Sequence, residues 1–352
     1  MTFIVNNIES DDPNEIAILI DGNRFRFWTN SEINLSMDSI DSFSLSAPFE
    51  ADVSKFRETF KPLSYKPVTV YIGGELVLNG TMMNVSPSVD SNSRVLSIGG
   101  YSLPGVLNDC PFPFSEYPIE FNNQNLQQIA KTAAGFFDVG LSFEESPGAL
   151  FEKVAAEPGQ TVLNFLIGLA QQRGLFTSNT LEGELLFQKS NNERAGDFLK
   201  EGEFPYLGAS PTYNAQPYYS EITGLSATKS FLDAEKYTIN NSLTDSFRPF
   251  VFKEKDVSGA DLQESVKAKI GRMFGEAVNI TVSVQGWRNN AGEIWTPNKK
   301  IKLQSPGAMV YNETDFLIRS VSLKRGESDT ASLSLILPES FSGEIPGALP
   351  WD

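Results

Sequence analysis

Four acidic residues are candidates for carboxylate catalysis in this sequence, and two tryptophans are candidates for stacking on a ligand. A glycosidase needs only two carboxylates at a suitable separation. The candidates are Glu144, Glu145, Asp315 and Glu339. Trp287 and Trp295 flank a polar turn and could stack on a base, a sugar or a peptide, or pack across a hairpin. Because the chain has 44 acidic side chains, most of them carry solvent-exposed charge, and no acid is assigned a catalytic role.

Histidine is absent from the chain, which excludes imidazole-based catalysis and His-ligated zinc. Cys110 is the only cysteine, so neither a thiolate metal cage nor an internal disulfide can form, which fits assembly in a reducing compartment. No glycine-rich phosphate loop occurs. The sequence therefore predicts no catalytic, cofactor-binding or metal-binding residues, and no cofactor.

The charge balance argues against stable binding of nucleic acid. The net charge is −16, from 28 basic and 44 acidic side chains, whereas a phosphate-binding surface needs a basic stripe. The densest basic stretch, Lys299, Lys300 and Lys302, is interpreted as a solvated strand face. No apolar run approaches the ~20 residues of a membrane helix, and the first residues have no secretion-signal pattern. We expect no integral membrane segment.

The first hundred residues favour β structure. Asp21-Gly22 predicts a hairpin turn, Gly73-Gly74 a second turn and residues 90–93 a third. The alternation of apolar residues between these turns is typical of half-buried strands in a small barrel or sandwich.

The hydrophobic period changes in the next segment, where residues 118–190 favour an α+β module. One helix is predicted within residues 122–137, capped by Asn122 or Asn123. A second helix follows Pro158-Gly159 and stops at Gly174. Short strands surround both helices.

The last part of the chain is predicted to begin with a linker over 190–215, which is rich in polar and turn residues. Strands resume after it, and a helix is predicted over 260–274 with a capping box over 258–261 and an end at Gly275. Its apolar stripe is interpreted as core packing and comprises Leu262, Val266, Ile270, Met273 and Phe274.

A faint internal repeat links residues 68–98 and 301–336, which share the order strand, loop, strand, polar turn, strand. Val85-Ser86 and Val321-Ser322 occupy equivalent places in it. The predicted fold is therefore α+β and mainly β, with two small β-barrel-like domains, a central α+β module and an additional helix. The predicted domains are 1–110, 111–195 and 196–352, the last including the linker and the helix 260–274.

Several stretches resemble the baseplate hub proteins of Mu-like contractile-tailed phages, also called late control gene D proteins. The similar stretches are PVTVYIGGELVLNGTM, VLSIGGYSLPGVLND, VAAEPGQTVLNFLIGLAQQRGLFTS, VSVQGWRNNAGEIWTPNKKIKLQSP and FLIRSVSLKRGESDTASLSLILPESF. They follow one another over nearly the whole chain, and the likeness lies in their order and spacing.

The resemblance implies a structural protein of a phage tail or prophage tail and not an enzyme. It implies a homotrimer whose two barrel domains per chain form a ring of six β modules, matching a sixfold tail tube to a threefold central spike. The expected partners are the tail tube protein, the spike protein and other baseplate proteins, in a virion assembled in the host cytoplasm. DNA would pass through the channel without stable binding. Part of the negative charge is expected to line that channel, and the alternative is that the charge keeps the outer surface soluble.

Two alternatives remain open at this point. One is a carbohydrate- or receptor-binding module of the tail tip, and the other is a cell-wall hydrolase. The sequence does not identify the interface residues, the order of assembly, the acids that face the channel, or whether the tail belongs to an active phage, a defective prophage or a phage-derived device.

Overall fold

The computed structural model describes residues 12–49, 53–226, 234–254 and 259–352. The mainly β, multi-domain α+β fold predicted from the sequence is confirmed. Within the described ranges the strand pairings form open paths and no closed barrel is present. None of the helices in those ranges combines the length and the apolar character needed to cross a bilayer.

The strands are β1 Ile16–Ile20, β2 Asn23–Phe25, β3 Asn30–Ser36, β4 Ser42–Pro48, β5 Pro67–Ile72, β6 Glu75–Val89, β7 Arg94–Ser102, β8 Glu120–Gln124, β9 Leu141–Phe143, β10 Phe151–Ala155, β11 Phe176–Asn179, β12 Leu185–Gln188, β13 Arg194–Lys200, β14 Tyr206–Tyr213, β15 Glu221–Ser226, β16 Lys236–Asn240, β17 Pro249–Glu254, β18 Val278–Gln285, β19 Lys300–Ser305, β20 Val310–Arg325 and β21 Asp329–Ile336. The α-helices are α1 Ser54–Thr59, α2 Gly105–Asp109, α3 Leu126–Gly135, α4 Val162–Gln171 and α5 Gly259–Ala277.

One sheet of 13 strands runs through both ends of the chain. Its first half has the strand order β3-β4-β7-β6-β5-β1-β2, and its second half has the order β14-β18-β21-β20-β19-β13. The two halves are joined where β3 pairs antiparallel with β20, from Ser36 opposite Ser320 to Ser31 opposite Arg325. The two β units predicted from the sequence therefore share one continuous sheet.

The internal repeat seen in the sequence corresponds to two similar meanders, β5-β6-β7 and β19-β20-β21. β6 and β20 are unusually long strands, and each has a bulge where it begins to pair with the following strand, at 82–84 and 318–320. Val85-Ser86 and Val321-Ser322 come next and face Ile98-Ser97 and Leu333-Ser332. A bulge re-aims the strand that carries it, so its recurrence at one register means that both halves bend in the same place.

The apolar side of this sheet builds the main core, which includes both tryptophans. The core continues through the second half under α5, whose stripe residues are all buried. This confirms the stripe predicted from the sequence. The helix itself is longer than predicted: it continues past Gly275 to Ala277, and Ser258 of the predicted capping box lies outside the described residues.

Gly275 has a packing role because the C-terminal segment crosses the helix there. A Cβ at Gly275 would lie 3.2 Å from the Ser340 side chain, and a Cβ at Gly271 would lie 2.6 Å from the Ser340 carbonyl oxygen. The prediction that Gly275 ends the helix is wrong, because α5 continues to Ala277. The glycine is instead suited to the close approach of Ser340.

The central part has its own core around α3 and α4, with β8-β10 and β9-β12-β11 beside them. The predicted cap of α3 is wrong: Asn125 caps the helix by a capping box with Gln128. Asn122 and Asn123 lie instead in β8, because that strand pairs with β10. The second predicted helix is confirmed as α4, and Gly174 has the expected left-handed backbone (φ 64°).

The predicted linker over 190–215 is also wrong, because β13 and β14 lie there. β13 pairs parallel with β19 and β14 pairs antiparallel with β18. Both are at a margin of the sheet, so their exposed sides carry the polar, glycine and proline residues that look like loop composition.

Candidate functional site

Rows of hydroxyl and amide side chains cross the middle strands of the 13-stranded sheet, from β14 through β20 and β3 to β6, on the side away from the main core. Directly paired residues of antiparallel strands lie on the same face, and the buried residues that alternate with them point to the core. One row crosses five strands at Ser210, Thr281, Ser334, Ser320 and Ser36. We call this surface the hydroxyl face.

Two further rows extend the hydroxyl face across both halves of the sheet. One consists of Ser283, Ser332, Ser322, Asn34 and Ser42. Another consists of Asn30, Ser46, Ser97 and Ser86. Some of the hydroxyls bond to each other, as Ser46 and Ser97 do at 2.7 Å.

The electrostatics of the hydroxyl face are close to neutral. Between the rows, Lys324 and Glu32 lie opposite each other and form an ion pair of 3.1 Å, and the Ser322 hydroxyl donates to the same Glu32 carboxylate. The acidic wall expected from the net charge is therefore not on this face. Hydroxyl and amide groups can hold a water layer without attracting or repelling phosphate by charge.

Two strand edges at the ends of the hydroxyl face lack a partner within the described ranges. β14 pairs only with β18, and residues 83–89 of β6 pair only with β7, because the Met82 N–H still donates to the Lys66 carbonyl beside β5. Exposed apolar side chains accompany both edges, Leu207 (54% exposed) on β14 and Val89 (64%) on β6. Open edges are sites at which another strand can add.

The four candidate carboxylates lie in three separate parts of the described structure. Glu144 and Glu145 follow β9, Asp315 lies in β20 and Glu339 lies in a short 3-10 helix near the C-terminus. The Arg194 guanidinium donates to both Asp315 oxygens, at 2.8 and 3.0 Å, and holds the pKa of that carboxyl below its usual range. A carboxylate held in this way is a structural ion-pair partner.

Trp287 and Trp295 are packing residues, as the sequence favoured. Both are 1% exposed, and the Trp295 backbone N–H donates to the Trp287 carbonyl at 2.9 Å, which closes the hairpin between them. The Trp287 indole N–H donates to the Lys324 carbonyl at 3.0 Å. Neither ring is open to a ligand.

No cluster of three or more Cys, Asp or Glu side chains suited to a metal ion occurs in the part of the chain that the structure describes. Cys110 is a free, half-buried thiol. The predicted absence of metal and cofactor residues stays a prediction.

Sequence reasoning missed an ion pair at the junction of the sheet with the central module. The Arg319 guanidinium, at the bulge of β20, binds Asp38 with nitrogen–oxygen distances of 2.9 to 3.2 Å. Arg272 and Glu276 of α5 line the same small cavity, of about 210 Å³. The partners are 281 residues apart, so no local pattern could reveal this contact.

Comparison with known proteins places these features in a family. Three models of baseplate domains match in order along the chain: "Mu phage baseplate assembly protein GpP-like, N-terminal" over residues 15–102, "Baseplate hub protein gp44-like, second domain" over 104–189, and "Mu phage baseplate assembly protein GpP, fourth domain" over 258–344. Together they cover about three quarters of the chain.

Individual relatives agree with these matches. The baseplate hub protein gp44 of Escherichia phage Mu is 22% identical over 334 residues, which are 90% of this chain and 85% of gp44. Among solved structures, the 43 kDa tail protein of prophage MuSo2 from Shewanella oneidensis superposes with a TM-score of 0.81, at 23% identity, over 93% of this chain and 99% of that one. A tail protein from Neisseria meningitidis gives 0.79 at 19% identity, over 94% and 99%.

The solved structures support the fold, and the ordered domain matches with the full-length similarity to gp44 support the role. None of the three relatives is named as an enzyme. The chain belongs to the baseplate hub proteins of Mu-like contractile-tailed phages and is a structural protein of that kind.

Proposed function

We propose that three copies of this hub protein close into a ring in which the six sheet halves alternate. The ring would present six similar outlines to a sixfold tail tube and three identical chains to a threefold central spike. A cyclic trimer needs heterologous contacts, in which each chain uses two different surfaces. The open edges of β14 and of the second part of β6, which flank the hydroxyl face, are two such surfaces.

The observation that carries this proposal is the repeat within the sheet. Two halves with the same strand order and the same bulge position are already joined side by side in one chain, through β3 and β20. A second joint of the same geometry, made between chains, would continue the pattern around a closed ring.

In such a ring the hydroxyl face lines the channel. DNA passing through would meet a nearly neutral, hydrated wall, because the charged pair on that face, Lys324 and Glu32, is self-compensating. A wall without a basic stripe gives phosphates no site at which to bind stably. The sequence led us to expect an acidic lining, and a neutral hydroxyl face replaces that expectation in this proposal.

We also propose the finer assignments that the resemblance implied. The chain would be organised as domains 1–110, 111–195 and 196–352, with the central module outside the ring, where it can meet other baseplate proteins. It would contact the tail tube and spike proteins, be assembled in the host cytoplasm, and have neither a catalytic residue nor a cofactor.

Molar mass in solution tests the proposal. Light scattering on the purified protein, over a range of concentrations, should give a species of three chains at the upper end of the range. A protein that stays monomeric at every concentration, or closes with two, four or five chains, would contradict the ring.

A further inference from the structure

The joint within the chain is a regular hydrogen-bonded ladder. The Met37 backbone N–H donates to the Arg319 carbonyl at 3.0 Å. Because N–H groups alternate in direction along a strand, Leu35 and Ile33 also point theirs at β20, where they face Val321 and Leu323. Each of these pairs can exchange two hydrogen bonds.

The two halves of the sheet can be matched through their paired residues. Val85 opposite Ile98 corresponds to Val321 opposite Leu333, since both pairs follow the bulge at the same distance. On that match, Pro87 of β6 occupies the position that Leu323 has in β20.

β14 occupies the position in the second half of the sheet that β3 occupies in the first half. β3 pairs with β4, which pairs with β7, and β14 pairs with β18, which pairs with β21. Matched along these ladders, Tyr213 corresponds to Leu35 and Pro211 corresponds to Ile33. The pair Ile33–Leu323 at the centre of the internal joint therefore corresponds to Pro211 and Pro87 on the two open edges.

Both prolines direct their nitrogen at the open edge. The Asn214 N–H donates to the Ala277 carbonyl, towards β18, so the neighbouring odd-numbered residues of β14, including Pro211, point the other way. The Asp90 N–H donates to the Ser93 carbonyl, towards β7, so Pro87 likewise points outward. Proline has no N–H to donate and is tolerated in this orientation on an edge strand.

We propose that β14 of one chain lies antiparallel along residues 83–89 of β6 in the next chain, with Pro211 opposite Pro87. This inference rests on the proposed ring and adds its register. The joint between chains lacks the central pair of hydrogen bonds that the joint within the chain has. It is held by the flanking pairs, Tyr213 with Val85 and Ala209 with Val89, and by packing of Leu207.

The exposed apolar residues support a second copy of this chain as the occupant of these edges. Leu207 and Val89 are the large apolar side chains exposed on the two edges, one on each, and the inferred register brings their ends of the strands together. The prolines also have a consequence for the free subunit: they keep either edge from serving as a template for unspecific strand addition before the ring closes.

Restoring the missing hydrogen bonds tests the register. The double variant Pro87→Leu with Pro211→Ile copies the residues of the internal joint. Two further hydrogen bonds at each inter-chain joint should lower the protein concentration at which the trimer half-dissociates by at least about tenfold. Pro249→Val is the control, because Pro249 lies exposed at the start of β17, away from both edges. It should leave that concentration unchanged.

A disulfide gives an independent readout that does not depend on the strength of the joint. Thr212 and Ser86 correspond to Asn34 and Ser322, which lie directly opposite each other. Such a non-hydrogen-bonded pair has Cα atoms ~4.5 Å apart, within the range that a disulfide spans. In a Cys110→Ser background, Thr212→Cys with Ser86→Cys should give a covalent trimer on oxidation, and either cysteine alone should not.

The outcomes separate this inference from the ring itself. A trimer that forms normally, but whose dissociation is unaffected by the proline replacements or whose cysteines do not cross-link between chains, would overturn the register and leave the ring standing. A wild-type protein that forms no trimer would overturn the ring.

Discussion

The two halves of the sheet share a strand order but differ in what covers their apolar side. In the first half, the short helix α1 packs with the β1-β2 hairpin through Phe25, Phe56 and Phe60, with ring centroids 5.0 to 6.3 Å apart. In the second half, the 19-residue helix α5 packs on β18, and the sheet β16-β15-β17 packs on α5. The same strand order thus packs against two unrelated sets of elements. We call these sets the covers of the first and second half.

This difference bears on which features the proposed ring would have to repeat in both halves and which could vary. In that ring a sixfold neighbour would meet the outline of the sheet, and the features that set this outline, the strand order and the bulge, are the ones that both halves share. The covers face away from the hydroxyl face and can differ. Substitutions in the covers should therefore change stability, whereas substitutions at the edges should change assembly.

The largest expected effect comes from breaking the cover of the second half. Ile270→Asp puts an unpaired charge at a site that is 0% exposed, and we expect it to destabilise the protein by several kcal/mol and to impair folding. Gln263→Asp adds the same charge on the exposed side of α5 and should cost less than about 0.5 kcal/mol. Thermal unfolding followed by circular dichroism checks both, and equal melting temperatures would mean that the α5 stripe is not a core element.

A pH effect should originate in the first half, where Asp41 lies in the turn between β3 and β4. Burial raises its pKa to about 7, against hydrogen bonds from the Ser36 N–H and the Asn179 side chain that lower it. Because the folded pKa lies above the ordinary value of 3.8, the native state holds an extra proton, and stability falls as pH rises from about 4 to 7. The total change should be a few kcal/mol, at about 1.4 kcal/mol per pKa unit.

Asp41→Asn should flatten this dependence, since the amide does not titrate. Urea unfolding of the wild type and the variant at several pH values between 4.5 and 7.5 provides the comparison. Parallel curves for the two proteins would show that Asp41 is not the group responsible.

A smaller effect distinguishes a helical glycine that is covered by another segment from one that faces open space. Replacing glycine by alanine in a helix normally stabilises it by about 0.5–1 kcal/mol, and Gly168→Ala in α4 should do so because nothing lies within 4 Å of the added Cβ. Gly271→Ala should instead destabilise by about 1–3 kcal/mol, since its Cβ would meet the Ser340 carbonyl oxygen at 2.6 Å. Chemical unfolding measures both, and stabilisation by both would mean that the C-terminal segment does not press on α5.

The smallest expected effect is that of Lys267→Ala on α5. Its ammonium pairs with Glu264 at 2.8 Å, but both side chains are about 40% exposed, and such a surface pair contributes no more than about 0.5 kcal/mol. A melting temperature close to that of the wild type is the expected result, and a large drop would indicate a role for Lys267 beyond this pair.

The parts of the fold that the sequence predicted are those whose signals are local. The Asp21-Gly22 and Gly73-Gly74 turns were predicted because they need the positive φ that these residues adopt readily, and all four have it. β13 and β14 were missed because they exist through strands that follow much later in the chain, and because edge positions tolerate residues such as Pro211. The cap of α3 was misplaced by a competing strand that the sequence did not reveal.

The candidate site was predictable only in part, for the same reason. The alternating serines of SFSLSAP and SLSLI could have indicated a polar face on each strand. That these strands form one surface depends on the pairing of β3 with β20, and partners there, such as Ser322 and Glu32, are 290 residues apart. The neutral character of the face follows from that assembly and is not evident from the net charge.

Electron microscopy of the purified protein would show the proposed assembly itself. We expect a threefold ring of six similar modules, with the hydroxyl face around the central opening and the central modules outside. A closed ring of another order, or a threefold ring in which the hydroxyl face points outward, would contradict it.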